Sequence, residues 1–296
     1  MFWLEEKLYM ELRGLCKSYR GKIVLDIEEL DISEGRITAF VGENGAGKTT
    51  LFRILSGLSF PTKGSVSFAN PSGIPGVMIE LPAIDMKMSA WENLSWVSRV
   101  YGRDGCMDIQ ELLALVGLEK NNTKVKKYSL GMKQRLGIAM CLAHNPNLLI
   151  LDEPMNGLDP VGMMDLRNIL HKINEKGTTI LISSHILSEL YKIASEYVFM
   201  KEGKVIQVKS SRDFEELEAN YYELLTSDND KATRLLKDTL HCKVKEDGGR
   251  MLFNKGSNTI MDISKLLCEN KIYILMLKEK GFDIESYYME VLDKNA

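Results

Sequence analysis

Apolar and polar positions change period several times along the chain, and each change predicts an element. Short β-rich runs over residues 23–32 and 36–41 lead through a glycine-rich turn into a helical stretch over 48–55, a strand, loop and helix unit. From about Pro82 to Pro146 the period is helical. There Ser89 with Glu92 makes a capping box, while Asp108 with Glu111 opens a helix that puts Ile109, Leu112, Leu113 and Val116 on one face and stops at Gly117. Two strongly apolar runs, 148–151 and 179–182, flank a helical segment over 161–175, which reads as a β-α-β crossover with parallel strands covered on both faces. From about residue 221 the pattern starts again. A short β run is followed by a helix with Ala232, Leu235 and Leu236 on one face, and Cys242 and Val244 then alternate with Lys243 and Lys245 into the turn Asp247-Gly248-Gly249 and on to Met251 and Phe253. A helix (Ile260, Ile263, Leu267), a strand over 272–277 and a last helix near 284–292 complete β-α-β-β-α-β-α, the order of a ferredoxin-like α+β domain.

Composition narrows the class. A chain of 296 residues is about two domains, and 45% hydrophobic with 27% charged residues fits a globular protein, not a disordered or membrane-spanning one. With Lys+Arg 38 against Asp+Glu 41 the net charge is −3, so no electrostatic case exists for a nucleic-acid partner or a polybasic anchor. Any membrane attachment then comes through a partner. Cys16, Cys106, Cys141, Cys242 and Cys268 form no CxxC pair, as expected in a reducing compartment, and the start carries two glutamates where a signal peptide has basic residues. The expected location is cytoplasmic.

The sharpest chemistry is the run Gly42-Glu-Asn44-Gly45-Ala46-Gly47-Lys48-Thr49-Thr50, a GxxxxGK[ST] pattern after a strand and before a helix. Glycines let successive N–H groups curl inward onto phosphates, and the helix N-terminus adds partial positive charge. Lys48 reaches the β and γ phosphates, and the Thr49 hydroxyl suits Mg²⁺, a hard cation. Downstream, an apolar strand ends in Asp152-Glu153, two carboxylates that can divide the work, Asp152 at the metal and Glu153 at the attacking water.

Between these motifs lies Tyr128-Ser129-Leu130-Gly131-Met-Lys-Gln-Arg, and the three together resemble the ATP-binding subunit of ATP-binding cassette (ABC) transporters over about residues 8–208. The resemblance implies an α/β P-loop NTPase cassette with a mixed sheet core over 1–220 and a helical subdomain over about 82–146; the pattern of the tail adds the accessory α+β domain over 221–296, a dimerisation or regulatory module or a stabilising appendage. The resemblance also implies ATP and Mg²⁺ as ligands, with Ser129 and Gly131 capping the γ-phosphate bound by a second cassette, in a homodimer or a heterodimer. Tyr19 matches the aromatic that stacks on adenine, and Asp159, in Asn156-Gly-Leu-Asp159, matches the loop that crosses the dimer interface. His185 matches the switch histidine at the γ-phosphate. Plain alternatives stand beside two of these: a strand-end aromatic for Tyr19 and a surface histidine for His185. His144, His171 and His241 match nothing and are expected on surfaces, and the methionines Met78, Met86 and Met88 are expected as core filler.

Two positions depart from the general pattern. Glu80, in Ile79-Glu80-Leu81-Pro82, stands where the family usually carries glutamine, and it resembles the E-loop of bacitracin-resistance and lantibiotic-immunity ATPases. A carboxylate only accepts, so beside ATP it fits best at Mg²⁺ or the water. Leu130 stands where glycine is usual and forbids positive φ without strain. Both read as marks of that efflux branch or as signs of weakened hydrolysis. The resemblance implies an ATPase motor that drives a separate permease, which docks a short helix near residues 80–91, and it implies export. Trp91 and Trp96 lie at that place and read as packing more than docking residues. The other classes are a soluble ABC ATPase acting on ribosomes or DNA and a slow regulatory subunit. One cassette, with no zinc motif and no basic face, favours the transporter.

Overall fold

A computed structural model describes residues 7–69, 73–102, 105–218, 221–247, 249–254, 256, 258–279 and 284–294. Gly248 of the expected turn and the first six residues lie outside them. Two compact units result: Met1–Lys209 with Ile284–Ala296, and Ser210–Asp283.

In the first unit the chain runs β1 (Leu8–Tyr19), β2 (Lys22–Ser33), β3 (Ile37–Val41), α1 (Lys48–Leu55), β4 (Lys63–Phe68), β5 (Gly76–Met78), α2 (Ala90–Val100), α3 (Ile109–Leu115), α4 (Leu130–Leu142), β6 (Leu148–Asp152), α5 (Pro160–Glu175), β7 (Thr179–Ser183), α6 (Leu187–Tyr191), β8 (Glu196–Lys201) and β9 (Lys204–Ser210). Six strands form one sheet in the order β5-β6-β7-β3-β8-β9, and β5, β6, β7, β3 and β8 pair in parallel. Every residue of β3, β6 and β7 is buried, which is why these strands read as unbroken apolar runs and not as alternation. A separate antiparallel sheet, β2-β1-β4, was not distinguished in the sequence. Its inward residues Met10, Leu12, Leu15, Leu25 and Ile27 share one core with Phe40, Leu51, Phe52, Ile150 and Leu181, so α1 is held between two sheets. The capping box of Ser89 with Glu92 starts α2, and Asp108 caps α3.

The second unit carries α7 (Ser211–Glu218), β10 (Tyr221–Thr226), α8 (Asn229–Leu240), β11 (Lys243–Asp247), β12 (Arg250–Asn254), α9 (Ile260–Glu269) and β13 (Ile274–Glu279). Its antiparallel sheet runs β11-β12-β10-β13, the ferredoxin-like order, and Tyr222, Leu224, Met251 and Phe253 pack with Leu236 of α8 and with Ile263 and Leu267 of α9.

The last helix, α10 (Ile284–Lys294), departs from expectation. It belongs to the first unit and not to the tail domain. The reason is aromatic packing: the rings of Tyr287 and Tyr288 lie 5.8 and 6.0 Å from that of Phe199 in β8, and Lys201 Nζ donates to the Leu292 carbonyl at 3.3 Å.

Candidate active site

The loop after β3 is shaped by its glycines. Gly45 and Gly47 take φ of 88° and 101°, and a Cβ on Gly42 would stand 2.6 Å from the Met200 carbonyl, so this backbone is closed to other residues. Gly47 is the N-cap of α1, leaving the first N–H groups of that helix turned toward the loop. The Ala46 carbonyl accepts from Gly203 N–H at 3.1 Å, which ties the loop to the β8–β9 turn. Lys48 is buried and its ammonium folds back onto the carbonyls of Gly42 and Glu43. Burial pulls its pKa below the ordinary lysine range, opposed by the nearby carboxylates of Glu153 and Asp152. An ammonium held by loop carbonyls at the start of a helix is the kind of arrangement that suits an anion.

Parallel strands bring the other groups to the same end of the sheet. Thr49 Oγ1 donates to Asp152 Oδ2 at 2.6 Å, and the Ser183 hydroxyl donates to Asp152 Oδ1. Asp152 and Ser183 are register partners across β6 and β7, so the sheet itself sets that contact. The sequence pattern does not point to Ser183, although it opens the Ser183-Ser184-His185 string. Among the described residues no three His, Cys, Asp or Glu side chains converge on a metal position. Thr49 and Asp152 nonetheless offer hard oxygens side by side, a donor set that fits Mg²⁺ with its remaining positions taken by phosphate and water.

Glu153 leaves the strand with φ 51°, a left-handed turn unusual for a side-chain-bearing residue, and its N–H is held by Ser183 Oγ at 2.9 Å. That bend brings Glu153 Oε2 to 2.7 Å from His185 Nδ1. The imidazole thus fixes one carboxylate oxygen and leaves the other to accept a proton.

Glu80 is also left-handed, at φ 67°, and its carboxylate pairs with Arg53 of α1 at 2.7 Å, a cation that the sequence pattern does not point to. The expected place of Glu80 at the metal or the water concerns the nucleotide-bound site. Ser129 caps α4 by accepting from Met132 N–H at 3.2 Å. Leu130 is then the first helical residue, absent from the positive-φ positions, so the missing glycine brings no strain. Next to it, a Cβ added to Gly131 would make one ordinary contact, with the Leu158 side chain at 3.7 Å. Asp159 caps α5 through Gly162 N–H at 3.0 Å. Thr50 follows in the first turn of α1, half-buried. Tyr19 ends β1, 46% exposed, with Lys17 Nζ 4.9 Å above its ring.

A groove of about 510 Å³ opens beside Glu80, lined by Leu58, Ile74, Leu81, Pro82, Trp96, Val100, Tyr101 and His144 among others. Leu81 is 74% and Trp96 58% exposed, so Trp96 is not the packing residue expected, whereas Trp91 is half-buried under Lys120, whose Nζ lies 3.8 Å from its ring centroid. His144 is not a plain surface histidine: it stacks on Tyr101 at 4.2 Å and bonds the Ile74 carbonyl. Met78 is core, as expected, while Met86 is exposed. Among the described residues no helix is long and apolar enough to cross a membrane.

The chain resembles known proteins along most of its length. The profile described as "ABC transporter" matches residues 25–156. The chain is 33% identical to the bacitracin transport ATP-binding protein BcrA of Enterococcus faecalis over 96% of each chain. It is 42% identical to the lantibiotic transport ATP-binding protein SrtF of Streptococcus pyogenes over 71% of this chain and 94% of that one. Among solved structures, an ATP-binding cassette dimer in a post-hydrolysis state with ADP and Pi aligns with a TM-score of 0.60 at 25% identity, over 69% of this chain and 99% of that one.

Proposed function

The chain belongs to the ABC transporter ATP-binding family, and from that premise we propose that it is the ATP-hydrolysing motor of an exporter of antibiotic peptides or similar compounds. The observation that supports this most directly is the cluster at the carboxyl end of the sheet: Thr49, Asp152 and Ser183 in one hydrogen-bonded chain, with the Glu153–His185 pair beside the phosphate loop.

In this reading the loop N–H groups and Lys48 hold the β and γ phosphates. Tyr19 carries the adenine. Bound Mg²⁺, held by Thr49 and Asp152, supplies positive charge that offsets the charge on the phosphates. Glu153 takes the proton of the attacking water, and His185 keeps the carboxylate turned toward it. Ser129 and Gly131, at the positive end of α4, cap nucleotide held by a second cassette, while Asp159 and its loop lie at the same interface, in a homodimer or a heterodimer. Glu80, paired with Arg53 of α1, stands between Ile79 and Leu81 of the groove lining.

The apolar groove is the seat for a permease, since exposed Leu81, Trp96 and Val100 in one concave patch suit an apolar helix. Through it the chain sits peripherally on the inner face of a membrane. The domain boundary is best drawn at 209/210, with α10 returning to the cassette. Steady-state ATPase of the purified chain, wild type against Glu153→Gln, tests the enzymatic half of this reading; equal turnover in the two would remove Glu153 from its role.

A further inference from the structure

The helix that follows the accessory domain ends its path against the phosphate loop. A cavity of about 110 Å³ is walled on one side by Glu43, Asn44 and Gly45 and on the other by Tyr288 and Leu292 of α10. Tyr288 is buried, and its hydroxyl, shut away from solvent, closes no hydrogen bond of full geometry. The Glu43 backbone N–H faces that oxygen in a weak contact, which opposes the rise in the phenol pKa that burial and the Glu43 carboxylate cause. A buried hydroxyl whose one polar contact falls short of a full hydrogen bond costs free energy, so a small loop movement that completed that bond would be favoured.

The same helix is fixed to the strand that backs the loop. Phe199 of β8 packs under Tyr287 and Tyr288, Lys201 holds the Leu292 carbonyl, and the turn after β8 bonds Ala46 through Gly203. The loop is therefore gripped from behind by β8 and flanked by α10. Nothing in the sequence pattern of the last helix announces this, because Tyr288 is one aromatic on an amphipathic face.

We propose that Tyr288 is a positioning residue of the phosphate loop: α10 braces Glu43 to Gly45, and the Tyr288 hydroxyl closes onto Glu43 when the loop draws in around phosphate. The inference rests on the nucleotide reading above. It makes the C-terminal helix a part of the nucleotide site, and because α10 follows residues 210–283 in the chain, it makes the path of the chain after the accessory domain a path into that site.

The test uses the full chain and ADP with Mg²⁺ as the probe, followed by isothermal titration, with thermal midpoints taken without nucleotide. Tyr288→Phe keeps the ring and removes the hydroxyl. It is expected to weaken ADP binding about fivefold, the worth of one neutral hydrogen bond, and to raise KM for ATP by a similar factor with kcat within about twofold. The nucleotide-free midpoint should hold or rise, since a buried group short of a full hydrogen bond has been removed. Tyr288→Leu, which also removes the brace, is expected to weaken binding further. Unchanged ADP affinity in Tyr288→Phe, or a lowered midpoint with unchanged affinity, overturns the proposal by leaving Tyr288 an ordinary core residue. No ADP binding by the wild-type chain overturns the nucleotide reading instead, so the two failures are distinguishable.

Discussion

The Arg53 guanidinium meets the Glu80 carboxylate at 2.7 Å, one helical turn along α1 from Thr49. The charge of Glu80 is thus answered by α1 in this structure. Both side chains are largely exposed, so a double-mutant cycle of Glu80→Gln and Arg53→Gln on unfolding should give a coupling of only about 0.2–1 kcal/mol. Glu80→Gln should leave the ATPase rate of the isolated chain within about threefold, as expected for a surface pair of that size. A loss of orders of magnitude would put the carboxylate at the reacting phosphate after all.

Glu153→Gln keeps the shape of the site and removes its proton acceptor. Nucleotide binding should persist while hydrolysis drops by roughly 10²–10⁴-fold, read by a phosphate-release assay beside an ADP titration.

Ser183 supports the two carboxylates at once, donating to Asp152 and accepting from the Glu153 N–H at 2.9 Å. Ser183→Ala leaves a buried aspartate short of one donor, and denaturant unfolding should show a loss of about 1.5–3 kcal/mol, the range for a hydrogen bond to a charged group. A loss under half of that would mean that Thr49 alone satisfies Asp152.

Burial pushes the Cys141 thiol, which donates to the Val77 carbonyl at 3.1 Å, up to about 12. At pH 8 its thiolate fraction is then on the order of 10⁻⁴. Iodoacetamide at that pH should alkylate exposed Cys268 first and leave Cys141 behind, with Cys141 labelling rising as pH approaches 10. Equal labelling of the two at pH 8, followed by peptide mass spectrometry, would show the thiol to be accessible and ionisable.

Much of this was legible because single residues carried it. The phosphate loop announced itself through glycines whose positive φ and close backbone contacts admit nothing else, and the strands β6 and β7 through apolar runs that only a doubly covered parallel sheet produces. What stayed hidden depended on long-range partners. The pairing of Arg53 with Glu80 spans 27 residues, and the seat of Tyr288 beside Glu43 spans most of the chain, so neither leaves a local period. Leu130 misled for a different reason: the glycine it replaces implies a positive φ, whereas the Ser129 cap makes the position an ordinary helix start. The order of elements alone puts α10 with the tail, whereas its stacking on Phe199 places it with the cassette.

The central claim is a motor that works through a separate permease, and capture from detergent-solubilised membranes of the host tests it most directly. Tagged wild-type chain and a Leu81→Asp/Trp96→Ala variant are purified in parallel, co-purifying proteins identified by mass spectrometry, and ATPase measured on both eluates. The account predicts a polytopic membrane protein with the wild type, its loss with the variant, and ATPase activity retained by the variant chain. Ribosomal proteins or DNA-repair factors in place of that membrane protein, or equal recovery of it by the groove variant, would contradict the account.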